Sequence, residues 1–216
     1  MKAEYIYIDI IAPSFIICPI VVGWIRYRWL PQPARWLFFY LLIEAGVSMT
    51  STALAQMNKP NLALYHAATI VETILLLYFF SLIVINKRWI KICRGLMLLF
   101  PVLAILNTVY IQHLNEFNSY ALSGQSLLVI TCCFVYWRQH QNEEEKAWGS
   151  VPLNWIVSGL LLYFSSVFIL FTFSNFMIPL LSQQALLALW NLHATLALIM
   201  YVMMAIGFSK YSAHGR

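Results

Sequence analysis

Seven apolar stretches, each about as long as a bilayer is thick, take up nearly all of this 216-residue chain. A hydrocarbon core about 30 Å thick needs about 20 helical residues per crossing. The stretches run over Ile6–Ile25, Trp36–Ala55, Leu62–Ile85, Ile92–Ile111, Ser119–Trp137, Leu153–Ile178 and Ala185–Phe208. They are continuous rather than alternating, so they read as helices and not as the strands of a barrel. Only 10% of the residues are charged and 62% are hydrophobic, whereas a water-soluble domain carries about a quarter charged residues. The expected fold is therefore all-α: a single seven-transmembrane-helix bundle over residues 1–216, with short connections and no separate soluble domain.

Several features refine that expectation. Lys2 is followed by Glu4 and Asp9, and no small-residue cleavage site follows the first stretch, so it reads as a permanent helix rather than a signal peptide. Pro13 and Pro19 should bend or fray that helix, and Pro101 should kink the fourth. Cys18, Cys93, Cys132 and Cys133 lack zinc-finger or CxxC spacing and read as small buried apolar residues. The hydrophilic stretch Arg138–Gly149, with Glu143, Glu144, Glu145 and Lys146, reads as a solvated loop.

Charge sets the expected orientation. Of the 13 Lys and Arg residues, all but Lys2 and Lys59 fall in the first, third and fifth loops or the C-terminal tail. The positive-inside rule then places the N-terminus outside and the C-terminus in the cytoplasm. Trp24, Trp29, Trp36, Trp89, Trp137, Trp148 and Trp155 lie near the same basic boundary, and Trp190 is the exception. Basic residues confined to membrane-flanking loops give no reason to expect a nucleic-acid partner.

Ionisable groups inside a span are costly and mark candidate sites. Glu44 lies mid-way along the second stretch and Glu72 mid-way along the third, with His66 nearer the outside. His193 stands beside Asn191 in the seventh, and Asp9 near the start of the first. Glu44, Ser48 and Ser51 follow helical spacing and share a face, as do Tyr65, Thr69 and Glu72, and as do Trp190 and His193. Asn107, Thr108, Ser123, Gln125, Ser126, Ser174 and Asn175 add polarity to the outer ends. These patterns predict an outward-opening polar cavity among helices two, three and seven. Its ligand-binding set would be Glu44, His66, Glu72, Trp190, Asn191 and His193. Intramembrane Ser48, Ser51, Ser123, Ser165 and Ser166 have the simpler reading of hydrogen-bonding within the bundle.

Glu44, His66, Glu72 and His193 also have the residue types of a zinc site, although no HExxH is present. Other seven-helix chemistries find less. Microbial rhodopsins carry a retinal lysine in the seventh helix, and Leu186–Phe208 has none. The alkaline ceramidase and adiponectin-receptor superfamily is similar in topology but pairs histidines as HxxxH, and Ala197 stands four residues after His193. Ser158-Gly159 lacks the rest of the rhomboid GxSG, and Pro31-Gln32 occurs once where PQ-loop transporters repeat it.

The run Asn61-Leu62-Ala63-Leu64-Tyr65-His66 with Glu72, together with Trp190-Asn191-Leu192-His193, resembles uncharacterised bacterial seven-helix integral membrane proteins found beside sensor kinases. It covers about a sixth of the chain. The resemblance implies a multi-pass protein of the bacterial inner membrane with a part in signalling. The functional expectation is a receptor-like protein that senses a small molecule or lipid ligand without a cofactor, and passes the signal to a cytoplasmic or membrane partner. The rivals are a zinc-dependent intramembrane lipid hydrolase and a proton-coupled transporter.

Overall fold

The computed structural model describes residues 7–140, 147–174 and 180–212. Lys2, Glu4, the Glu143–Lys146 cluster, Asn175 and Arg216 lie outside these residues, as does the side chain of Asp9. The described residues are helical throughout, with no strand among them. We label the main helices α1 (Ile17–Arg26), α2 (Gln32–Gln56), α3 (Leu62–Ile83), α4 (Lys87–Tyr110), α5 (Ser119–His140), α6 (Pro152–Thr172) and α7 (Gln183–Ser209). Six of them, α2 to α7, are long and apolar enough to cross a membrane. The chain is a polytopic helical bundle.

The first predicted crossing is not one helix. A π-helical turn, Tyr7–Ile11, leads into a single α-turn, Ala12–Ser14, before α1 begins. The prolines explain the break. Pro19 has no amide to donate to the Phe15 carbonyl, and Cys18 N donates to that carbonyl instead at 3.0 Å. Pro101 behaves differently, since α4 runs through it unbroken.

Helix ends carry their own stop and start signals. Asn58, at φ 54°, closes α2 in a left-handed cap. Lys59 N reaches the Leu54 carbonyl at 2.9 Å and Asn58 N reaches Ala55 at 3.0 Å, the paired bonds of a Schellman motif. Asn86 caps α4 by accepting from Arg88 N at 2.8 Å, and Ser182 caps α7 by accepting from Ala185 N at 3.3 Å.

α2, α3, α5, α6, α7 and α1 pack in a ring, with neighbours α2–α3, α3–α5, α5–α6, α6–α7, α7–α1 and α1–α2. α4 lies outside the ring against α3, burying Cys93, Phe100 and Ala104 and leaving most of its surface exposed. Leu98 on α4 is 77% exposed, which suits contact with lipid rather than water.

The two ends of the ring differ. At the end bearing Arg26, Arg28, Arg35, Lys87, Arg88 and Lys210, hereafter the basic end, the interior is filled. Leu37, Phe38 and Leu41 of α2 meet Leu76, Leu77, Phe79 and Phe80 of α3, with Ile156, Val157 and Leu160 of α6 and Met204 and Phe208 of α7. Two glycines allow this closeness. A Cβ on Gly207 would sit 2.7 Å from Ile156 Cγ1 and 2.9 Å from the Pro152 carbonyl oxygen, and one on Gly23 would sit 2.6 Å from a Phe38 ring carbon. Tyr136 donates to Asn154 Oδ1 at 2.9 Å, while Arg28 lies 4.1 Å from the Trp29 ring centroid and Lys210 lies 5.8 Å from that of Trp155. The opposite end, where the chain starts, is hollow.

Candidate functional site

The hollow end encloses a cavity of about 380 Å³ between α2, α3, α5, α6, α7 and the segment before α1. Glu44 and Glu72 sit deep within it, Glu72 ten residues or about 15 Å along α3 from its first residue. Helical spacing delivers them there. Tyr40, Glu44 and Ser48 recur every fourth residue on α2, and Tyr65, Thr69 and Glu72 share a face of α3; all six line the cavity. The two carboxyl groups come within hydrogen-bonding reach of each other. Among the described residues, no Lys or Arg lines the cavity.

Gln125, from α5, is 1% exposed and lines the same space. Its amide approaches Glu72, yet Nε2 completes no hydrogen bond of sound geometry. Such a buried donor normally has a partner. On the basic-end side of the carboxyl groups, Tyr40 of α2 and Tyr201 of α7 line the cavity, and Tyr163 lines its α6 side.

The outer wall is aromatic. His193 lies 5.3 Å from Tyr163, 5.7 Å from Phe171 and 6.1 Å from Trp190, centroid to centroid. Phe171 also meets Trp190 at 6.1 Å and Phe117 at 5.0 Å. His193 Nδ1 is buried without a hydrogen-bond partner. On the far side of Trp190 and His193, a groove of about 310 Å³ between α6 and α7 is lined by Leu162, Ser165, Ser166, Ile169, Leu189 and Leu192, among others. The two residues thus form a partition between the cavity and an apolar groove on the bundle's outer surface.

Of the six residues singled out in the sequence, the structure brings Glu44, Glu72, Trp190 and His193 together. It places His66 and Asn191 elsewhere. His66 is one residue off the Tyr65–Thr69–Glu72 face, a rotation of about 100°, and it points to α4. There its Nδ1 pairs with Thr108 Oγ1 at 2.8 Å and its Nε2 with the Glu116 carbonyl oxygen at 3.0 Å. The sets predicted for ligand and for zinc therefore do not converge as wholes. Among the described residues, no three His, Cys, Asp or Glu side chains gather as a metal site. Asn191 is off the cavity lining, with Oδ1 buried and unpartnered.

Most of the flagged hydroxyl groups bond within the bundle. Ser51 pairs with the Tyr65 hydroxyl at 2.7 Å and accepts from Asn61 Nδ2 at 2.8 Å. Ser123, Ser126 and Ser166 donate to carbonyls of their own helices. Ser48 alone of the five serines read this way lines the carboxylate cavity, while Ser165 and Ser166 line the groove.

Three contributions went unread in the sequence. Tyr40 and Tyr201 carry a usable signal, lying four residues before Glu44 and eight after His193. Gln125 reads in the sequence only as outer-end polarity; that it joins Tyr163 and Phe171 in an α5–α6 wall depends on which helix faces which, which periodicity alone does not fix. The segment before α1 supplies Ile8, Ala12, Pro13 and Ile16 to the wall, and Tyr7 is tied to Thr195 of α7 at 2.8 Å. No family model, curated protein or solved structure matches the chain.

Proposed function

We propose that this chain is a receptor-like, seven-crossing protein of a bacterial inner membrane. It senses a small ligand in the carboxylate cavity and relays its presence to the basic end. The N-terminus is outside and the C-terminus cytoplasmic, by the clustering of Lys and Arg at one end. The broken segment from Tyr7 together with α1 makes the first of the seven crossings. The observation that carries the reading is the pairing of Glu44 with Glu72, beside His193 and Trp190, in a cavity closed toward the basic end by Phe38, Phe79, Phe80 and Phe208.

That one-sidedness favours sensing. A ligand that tightens the hollow half changes how α2, α3 and α7 lean on the packed half, and the relay is the difference in its affinity for the two arrangements. The output surface is the basic loops, and a partner protein reads it. Hydrogen–deuterium exchange in nanodiscs tests this. Filling the cavity should slow exchange near residues 44–72 and also change it at residues 26–31 and 84–87. Protection confined to the cavity would reduce the protein to a binder without relay.

Proton-coupled transport is the second reading, since paired intramembrane carboxyl groups also suit proton carriage. Proteoliposome uptake driven by a pH gradient and lost in Glu44→Gln would favour it. The zinc-hydrolase reading draws little support, because His66 is engaged with Thr108 and Glu116.

A further inference from the structure

We propose that the cavity takes a small organic amine that also carries a hydroxyl or carbonyl oxygen. This deepens the receptor reading and rests on it. Three features converge on that chemistry. First, Glu44 and Glu72 face each other with no Lys or Arg among the described residues of the cavity wall. Two acids held together away from bulk water repel, and a cation between them relieves the repulsion. Second, Trp190, Phe171 and Tyr163 present rings around the approach to that pair. Aromatic faces attract an organic ammonium through their quadrupoles, most strongly where water is excluded. Third, Gln125 Nε2 is a buried donor without a completed hydrogen bond. A donor needs an acceptor, which a bare ammonium lacks and a hydroxyl or carbonyl oxygen on the amine supplies.

The geometry also argues against other ligands. An anion would meet the two carboxyl groups with no Lys or Arg among the described residues of the wall. A metal ion would find no cluster of three His, Cys, Asp or Glu ligands among the described residues. A volume of about 380 Å³ suits an amine of a few carbons, at the small end of the range for ligand pockets. Amines of this kind occur free in solution or as lipid headgroups, and the same groups would recognise both.

The test uses the full-length protein in phosphatidylglycerol nanodiscs, with thermal unfolding and Trp190 fluorescence as readouts and Trp190→Phe as the signal control. The probes are choline, tetramethylammonium, the neutral choline isostere 3,3-dimethylbutanol, and acetate, with sodium and potassium chloride at matched ionic strength. At a hundredfold excess over its dissociation constant, choline should raise the unfolding midpoint by about 5 °C or more. Tetramethylammonium should bind about tenfold more weakly, having lost the oxygen, and 3,3-dimethylbutanol about a hundredfold more weakly. Glu44→Gln and Glu72→Gln should each lower choline affinity about tenfold or more. Gln125→Met should erase the difference between choline and tetramethylammonium.

The wild-type probe series needs no variant to fold, so it decides the matter by itself. Equal stabilisation by dimethylbutanol, acetate or the alkali chlorides would overturn the amine and leave a ligand-binding receptor standing. Silence from every probe, and from a library of small molecules of all charges, would overturn the receptor reading as well. Repeating the series in phosphatidylethanolamine nanodiscs separates the sources. A raised midpoint without choline, and no further rise with it, would identify the amine as the lipid's own headgroup.

Discussion

The two halves of the bundle share α2, α3, α5, α6 and α7 but are held together differently. Toward the basic end, Phe79, Phe80, Leu160 and Met204 are wholly buried, and Gly23 and Gly207 let backbones approach closely. Toward the other end, the helices stand apart around a cavity and are tied by polar links: Ser51 to Tyr65, Asn118 to Thr69, His66 to Thr108 and Glu116, and Tyr7 to Thr195. Lipid gives helices no hydrophobic reason to associate, so packing and hydrogen bonds must do it. Where packing fills the space, few polar links are needed. Where a cavity is kept open, hydrogen bonds at its rim replace the missing contacts. The bundle thus divides into a packed half and a hollow half, and substitutions in each should give different penalties.

The largest effect belongs in the packed half. Phe79→Ala removes a ring with no exposed surface, and we expect a loss of about 3 kcal/mol or more, read by thermal or denaturant unfolding in detergent. Gly207→Val should follow at about 2–3 kcal/mol, since its side chain would collide with Ile156 and the Pro152 carbonyl, whereas Gly46→Ala, with open space around it, should be harmless. If Phe79→Ala costs no more than a cavity-lining change, the division into halves is mistaken.

Polar links at the rim come next. His66→Ala leaves Thr108 Oγ1 and the Glu116 carbonyl oxygen without their imidazole partner. The expected loss is about 1–2 kcal/mol, with faster hydrogen exchange confined to residues 108–118. A spread of faster exchange into the basic end would show that the halves are not independent.

How much of this was readable in the chain depends on the half. Hydropathy locates the long apolar helices but not which of them pack tightly: α4 is as apolar as α3 yet mostly exposed, and the close approaches at Gly23 and Gly207 appear only in the structure. The site was legible where acids stood alone in apolar surroundings, and Glu44 and Glu72 do meet. It was misjudged at His66, because polarity was read without its angular position; one residue of offset turned the ring from the cavity toward α4. The first crossing was half legible. Pro13 and Pro19 announced a break, but the π-helical turn and its place in the cavity wall depend on packing against α7.

The smallest expected effect on stability is also the most informative about function. Ala197 lines the hollow half one turn beyond His193. In a packed interior, Ala→Leu forces side chains off their rotamers and costs about 1–3 kcal/mol. Here the added atoms enter open space, so Ala197→Leu should change the unfolding midpoint little, by under about 1 kcal/mol or in the stabilising direction. The same atoms occupy the volume beside Glu44 and Glu72, so any ligand held there should be lost from a protein that remains fully folded. A penalty as large as that of Gly207→Val would mean that the cavity is closed by repacking in the membrane, and the contrast between a packed and a hollow half would disappear.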